Sequence, residues 1–129
     1  MTTGANTRPR LLIADDEPTN RAIYVELFED RYELELVSDG RSCLERLAAN
    51  APDLLILDVA MPGPDGIEIC TELRASAATA SLPIVLVSGY ASENDRARGL
   101  AAGATRYVSK PFDLFAFEEL VAQLLAGAS

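Results

Sequence analysis

Short apolar segments recur along the chain, and each is followed by polar or turn-forming residues. Segments 11–14 and 54–57 are wholly aliphatic, and segment 83–87 is aliphatic after its initial proline. Such runs are typical of strands buried on both faces of a parallel sheet. Segment 32–37 reads YELELV, and this alternation indicates a strand with a wetter face, closer to a sheet edge. With 106–109 as a fifth strand, the apolar pattern predicts one sheet.

Segments with helical spacing of apolar residues separate these strands. Pro18 suits the first turn of a helix, Asp39 and Asp113 suit N-terminal caps, and Gly103 suits a C-terminal end. Five strands alternating with five helices predict a doubly wound α/β fold with a parallel sheet. The helical positions expected to face the core are Ala22, Ile23, Val25, Leu27 and Phe28; Cys43, Leu44, Leu47 and Ala48; Ile67, Cys70 and Leu73; and Leu114, Phe117, Leu120, Val121, Leu124 and Leu125.

The length of 129 residues fits one domain with its own core. We expect residues 1–9 to form a flexible tail, 10–126 the domain, and 127–129 a C-terminal end or linker. No apolar run approaches the ~20 residues of a membrane span, and the N-terminus lacks a signal-peptide pattern. The two cysteines, Cys43 and Cys70, have no metal or disulfide spacing. These features favour a cytoplasmic protein with reduced thiols that form part of the core.

Charge and the missing histidine limit the chemistry. The net charge is −9, with 20 acidic and 11 basic residues, which disfavours direct binding to nucleic acid or anionic membranes. The sequence contains no histidine, so catalytic serine–histidine and cysteine–histidine pairs and imidazole metal sites are excluded. Any phosphoryl or acyl chemistry must therefore use carboxylate, hydroxyl and amine groups.

Polar residues follow four of the predicted strands. Asp15 and Asp16 follow the first, Asp58 the third, Ser88 the fourth and Lys110 the fifth. Because right-handed crossovers place these strand ends on one edge of the sheet, we expect the five side chains to lie together. Three adjacent carboxylates repel one another unless a cation is present, and all-oxygen ligands favour Mg²⁺.

The same cluster suits phosphoryl transfer. Mg²⁺ sites with few carboxylates are commonly completed by phosphate oxygens, and Ser88 and Lys110 could hold two further oxygens. Asp58 could then act as a nucleophile and form an acyl phosphate. Metal and lysine would neutralise the charge on the transferred group.

At this point the sequence resembles the receiver domain of two-component response regulators. The order of Asp15-Asp16, Asp58, Ser88 and Lys110-Pro111-Phe112 matches that family, as do the segments LDVAMPGPDG at 57–66 and AGATRYVSKPF at 102–112. The likeness covers about residues 10–126. It implies a flavodoxin-like (βα)5 sandwich with strand order 2-1-3-4-5.

The resemblance also assigns roles. It implies that Asp58 takes phosphate from a phosphohistidine on a sensor histidine kinase or histidine phosphotransfer protein. Asp15, Asp16, Asp58 and the backbone carbonyl of Ala60 would be the Mg²⁺ ligands. Ser88 would be the switch hydroxyl, Lys110 the partner of the phosphoryl group, and Pro111 a residue often preceded by a cis bond. Tyr107 would be the aromatic switch, which moves inward with the hydroxyl.

The likeness further implies a signalling phosphoacceptor that catalyses its own phosphorylation and dephosphorylation rather than a conventional enzyme. Its switched surface would consist of the fourth helix, fifth strand and fifth helix, and would bind a downstream target or a second copy. Arg96, Arg98, Arg106, Glu118 and Glu119 could supply ion pairs there, although a solvated charged face is the alternative. No output domain follows the last helix, so we expect a stand-alone receiver or the N-terminal part of a longer regulator.

Two other function classes compete with this interpretation. A receiver-like module that signals without phosphorylation would be expected to lack Asp58 or Lys110, and both are present. A phosphatase of the haloacid-dehalogenase type needs a second aspartate at position 60, which is alanine, and no glycine-lysine phosphate loop supports another enzyme or a flavin carrier. Ala60 and Tyr90 differ in size and are hypothesised to tune the dephosphorylation rate together.

Overall fold

The computed structural model describes residues 8–89 and 92–127. Within them, strands and helices alternate from β1 to α5, as the apolar pattern predicts. The elements are β1 (Arg10–Ala14), α1 (Pro18–Phe28), β2 (Glu33–Val37), α2 (Gly40–Ala49), β3 (Leu54–Asp58), α3 (Gly66–Arg74), β4 (Ile84–Ser88), α4 (Glu93–Ala101), β5 (Arg106–Ser109) and α5 (Leu114–Leu125).

The five strands form one parallel sheet in the order β2-β1-β3-β4-β5. This order confirms the predicted topology, and the alternating strand β2 lies at an edge as expected. The register aligns the strand ends: Asp58 pairs with Val87, and Ser88 pairs with Ser109. The polar residues that follow the strands are therefore brought to the carboxyl edge of the sheet.

Two apolar clusters sandwich the sheet because successive strand residues point to opposite faces. Leu12 and Leu55 belong to the cluster on one face, whereas Leu11 and Leu54 belong to the cluster on the other. The first cluster contains the side chains of α2 and α3, and the second those of α1 and α5. Burial on both sides explains why the central strands carry no alternating polar positions.

The cysteines confirm their predicted place in the core. Cys43 and Cys70 are both fully buried free thiols in the cluster that includes α2 and α3. Burial raises the pKa of the Cys43 thiol to about 12. The thiolate is the reactive form of cysteine, and it is scarcely populated at neutral pH when the pKa is this high. Cys43 therefore serves to pack the core.

Parts of the predicted helix faces are wrong. Ile23 and Leu114 were expected to face the core, but they are 39% and 48% exposed. Tyr24 and Phe28, one helical turn apart, make the buried side of α1, and both rings contact Phe117 of α5. The aromatic rings pack together, with 6.0 Å between the centroids of Tyr24 and Phe117. Ile23 directly precedes Tyr24 and so lies on the exposed side of α1, and Leu114 lies in the first turn of α5.

Smaller differences affect the other helices. Ala22 and Ala48 are exposed, and Ile69 rather than the half-buried Ile67 is the fully buried isoleucine of α3. The caps are as predicted at Asp39 and Asp113, whose side chains accept hydrogen bonds from backbone N–H groups of the first helical turn. None of the helices in residues 8–89 and 92–127 is long and apolar enough to cross a membrane.

Candidate functional site

Asp58 ends the central strand β3 and is only 5% exposed. Its Oδ2 lies 3.3 Å from the Lys110 ammonium, and its carboxylate also accepts a hydrogen bond from the backbone N–H of Ala60. Burial, followed by the negative charge of Asp15, raises the pKa of Asp58 from 3.8 to about 6, against the opposing effect of Lys110. The ionised form of Asp58 therefore destabilises the folded chain.

Asp15 follows β1 and is fully buried, whereas Asp16 is exposed. The Asp15 carboxylate accepts hydrogen bonds from the Glu17 backbone N–H at 2.9 Å and from Asn20 Nδ2 at 3.3 Å. Both donors lie at the start of α1, so the strand-to-helix turn itself orients this carboxylate. Its position beside the sheet is fixed further by its backbone N–H, which donates to the carbonyl of Val37 on β2.

Carboxylate oxygens of Asp15, Asp16 and Asp58 all lie within 4.8 Å of one another. This arrangement brings together the three side chains that the strand-end pattern predicts as metal ligands. Two of the carboxylates are buried, and the third faces solvent. A cation at this position would relieve the repulsion from Asp15, which adds to the effect of burial in raising the pKa of Asp58, and three oxygen donors suit a hard divalent ion.

Lys110 reaches the cluster from the loop after β5. Its Nζ lies 3.3 Å from Asp58 Oδ2 and 3.5 Å from Asp15 Oδ2, so one ammonium contacts both buried carboxylates. The backbone N–H of Lys110 donates to the carbonyl of Ser88 at 2.8 Å, which anchors this loop to β4. The Lys110–Pro111 peptide bond is cis, as the family resemblance implies.

Ser88 ends β4 and is 1% exposed. It lines a cleft of about 270 Å³, together with Val59, the residue that follows Asp58. Tyr107 also lines this cleft, and so do Asp65 and Ile67 at the start of α3 and Asp95 and Arg98 of α4. The hydroxyl predicted to be a switch group thus shares a cleft with the aromatic residue predicted to move with it.

Tyr107 is buried, with 6% of its surface exposed. It packs on the α2–α3 face of the sheet and adjoins α4. Ala60 is exposed beside the cluster, whereas Tyr90, its hypothesised partner, lies outside the described residues. The structure therefore leaves the hypothesis about the Ala60–Tyr90 pair as a prediction.

The apolar pattern alone misses one residue close to the site. Tyr24 is 2% exposed, and burial together with the charges of Asp15 and Asp58 raises the pKa of its phenol. Its ring also stacks on that of Phe112, with 6.2 Å between centroids. The spacing of Tyr24 and Phe28 along α1 is the signal that could have identified this inward face.

Comparisons with known proteins agree with this geometry. The family model described as the response regulator receiver domain matches residues 11–124. Response regulator MprA from Mycolicibacterium vanbaalenii is 39% identical over 116 residues, which cover 90% of this chain and 48% of that protein. Response regulator PleD from Caulobacter vibrioides is 36% identical over 105 residues, covering 81% of this chain and 23% of that protein. The chain thus spans at most about half the length of these relatives.

Solved structures are similar over nearly the whole chain. The signal receiver domain of a signal transduction histidine kinase from Syntrophus aciditrophicus has a TM-score of 0.87 and 30% identity, covering 94% of this chain and 92% of that one. The receiver domain of Francisella response regulator 1452 also has a TM-score of 0.87, with 26% identity over 95% of this chain and 100% of that one. With the strand order and the family match over residues 11–124, these likenesses establish that the chain belongs to the family of response regulator receiver domains of two-component systems.

Proposed function

We propose that Asp58 is the phosphoacceptor of this receiver and that it takes its phosphoryl group from a phosphohistidine on a partner kinase or phosphotransfer protein. The observation that carries the proposal is the contact of one ammonium, that of Lys110, with both buried carboxylates, Asp58 and Asp15. Because these 129 residues contain no histidine, the phosphohistidine has to come from outside them.

Asp15, Asp16 and Asp58, with the backbone carbonyl of Ala60, would hold Mg²⁺. The donor set fits, because the three carboxylates converge within 4.8 Å, and burial followed by the negative charge of Asp15 raises the pKa of Asp58. When bound, Mg²⁺ supplies positive charge that stabilises the phosphoryl oxygens and keeps the carboxylates ionised.

Phosphoryl transfer would begin with attack of an Asp58 carboxylate oxygen on phosphorus. A P–O bond forms as the P–N bond to the donor imidazole breaks, and the departing imidazole takes up a proton. The ammonium of Lys110 lies 3.3 Å from the acceptor carboxylate. It would therefore contact the phosphoryl oxygens after transfer and stabilise their negative charge. Hydrolysis of the acyl phosphate would return Asp58 to its carboxylate form, so the domain would catalyse its own phosphorylation and dephosphorylation.

Ser88 and Tyr107 would report the phosphoryl group to the surface formed by α4, β5 and α5. They line one cleft, and Tyr107 is itself a residue of β5, the strand of this surface. Phosphorylation would shift an existing equilibrium between two arrangements of the cleft. The surface would then bind a downstream target or a second copy of the chain.

The charged residues proposed for that surface are not equivalent. Glu118 already pairs with Arg31 of α1, with 3.2 Å between Nη1 and Oε2, and Arg96 donates to the Tyr107 carbonyl at 2.9 Å. Leu100 adds an apolar contact point, since it is 47% exposed on α4. We therefore place the intermolecular ion pairs on Arg98 and Glu119 rather than on Glu118.

The test is phosphorylation of the purified chain with acetyl phosphate and Mg²⁺, followed by intact-mass measurement. We expect one added phosphate, absent after EDTA treatment and absent in Asp58→Asn. Asp30→Asn is the matched control, because it makes the same change at an exposed aspartate and should leave the mass gain intact. A folded chain that binds Mg²⁺ but gains no phosphate would overturn the proposal and favour a receiver that signals without phosphorylation.

A further inference from the structure

We infer that Gly99 and Arg96 of α4 are positioning residues that hold Tyr107 in its buried position before any phosphoryl group is present. Only the effect of that position on phosphorylation rests on the proposed function. The position itself follows from contacts between α4 and β5.

Gly99 leaves the space that the Tyr107 ring occupies. A Cβ atom at position 99 would lie 2.5 Å from Cδ2 and 2.9 Å from Cε2 of Tyr107, closer than real Cβ contacts allow. The same atom would lie 3.1 Å from Leu86 Cδ1, and Leu86 pairs with Tyr107 in the register of β4 and β5, so both side chains lie beside Gly99. Gly99 is buried within α4, where alanine would otherwise favour the helix. Its backbone is helical, so the clash rather than the conformation excludes a larger residue.

Arg96 holds the same tyrosine from the solvent side. Its guanidinium carbon lies 5.4 Å from the centroid of the Tyr107 ring, within the range of a cation–π contact. Its Nη1 donates to the Tyr107 carbonyl at 2.9 Å, and its Nη2 donates to Ser109 Oγ at 3.4 Å. Since Gly99 lies three residues further along α4, both residues are on the helix side that faces β5.

The consequence is that the surface of α4 and β5 is presented with Tyr107 buried in the unmodified chain. Tyr107 and Ser88 line one cleft. If the ring is already buried, a rearrangement of Ser88 on phosphorylation can move the ring only a little further. If the buried ring and the phosphoryl group favour the same arrangement, linkage requires that a variant that displaces the ring also opposes phosphorylation. The pair Gly99–Arg96 would then set how far the unmodified chain already resembles the phosphorylated one.

Nuclear magnetic resonance of the Mg²⁺-free chain, without phosphodonor, tests the position directly. We expect nuclear Overhauser effects from the Tyr107 ring to the Gly99 Hα protons and to the Leu86 methyl groups. Gly99→Ala should abolish the effects to Leu86 and change the χ1 coupling constants of Tyr107. Ala97→Ser, which adds one heavy atom at an exposed position of α4, should preserve them. Arg96→Gln should weaken them without introducing a clash, so the test does not depend on one variant that might fold poorly.

A pair of stability measurements separates the steric role from a general effect on the helix. Gly99→Ala should lower the melting temperature of the wild-type chain but raise it in a Tyr107→Ala background, where the clash is gone and alanine favours the helix. The same sign in both backgrounds, or absence of the Tyr107–Leu86 effects in the wild type, overturns the inference.

The rate of phosphorylation tests whether the position of the Tyr107 ring affects function. With acetyl phosphate and Mg²⁺, Gly99→Ala should be phosphorylated at least about fivefold more slowly than Ala97→Ser, because a displaced ring lowers the fraction of chains in the reactive arrangement. An equal rate would disprove the link between ring position and phosphorylation. Failure of the proposed function would look different, because the wild type and Ala97→Ser would then gain no phosphate while the Tyr107 contacts persisted.

Discussion

The ammonium of Lys110 lies 3.3 Å from Asp58, yet it does not cancel the cost of keeping that carboxylate buried beside Asp15. The pKa of Asp58 remains raised, at about 6 compared with 3.8. The folded chain thus binds the Asp58 proton more tightly than the unfolded chain does. This cost is absent below pH ~4, develops as pH rises through the folded-state pKa, and is complete above it.

We therefore expect Asp58→Asn to stabilise the metal-free chain at pH 8. The shift in pKa corresponds to at most roughly 3 kcal/mol, and we expect about 1–3 kcal/mol because Lys110 loses a partner. Urea unfolding in EDTA at pH 8 and pH 4 measures this, and the advantage should vanish at the lower pH. Lower stability of Asp58→Asn than of the wild type at pH 8 would show that the Lys110 contact outweighs the desolvation cost.

Lys110→Ala should separate metal binding from phosphoryl transfer. The ammonium competes with a cation for Asp15 and Asp58, so its removal should leave Mg²⁺ affinity unchanged or increase it. Transfer from acetyl phosphate should slow about 100-fold, because a preorganised positive charge at the transferred group is lost. Mg²⁺ titration followed by intact-mass kinetics measures the two effects on one variant, and a parallel fall in both would contradict the assigned role.

Glu118→Gln should have little effect on association between copies of the chain. Glu118 contacts Arg31 within the same molecule, and the two side chains are 27% and 50% exposed. Such a pair contributes about 0–1 kcal/mol to folding, so the variant should be only slightly less stable. Sedimentation of the phosphorylated chain should give the same association constant for Glu118→Gln and wild type, and a weaker one for Glu119→Gln. A reversed order would place Glu118 in the interface.

The sequence predicts the sheet well because its strands are continuous apolar runs that end in polar residues. Asp15, Asp58 and Ser88 can be located for this reason, and parallel topology then places them on one edge. The buried side of α1 could not be located in the same way. The apolar pattern predicts Tyr24 as neither a core nor a site residue, although its ring packs in the aromatic cluster while its phenol experiences the charges of the carboxylates.

The sequence also does not predict which side chains from distant elements contact each other. The apolar pattern shows Gly99 only as an unfavourable residue within a short helix. Its role becomes visible when the Tyr107 ring is found 2.5 Å from where a Cβ would be. In the same way, the sequence places Lys110 near the carboxylates but cannot show that its ammonium contacts two of them.

Mg²⁺ binding should weaken as the pH falls below about 6. The pKa of Asp58 in the metal-free chain is about 6, so at lower pH a proton competes with the cation for the carboxylate. Affinity should fall by up to about tenfold for each further pH unit, and binding at pH 5.5 should release roughly three-quarters of a proton. Calorimetry in two buffers of different ionisation enthalpy measures that release. Asp58→Asn should bind Mg²⁺ more weakly, with little proton release at this pH, and equal release from both chains would assign the titrating group to a residue other than Asp58.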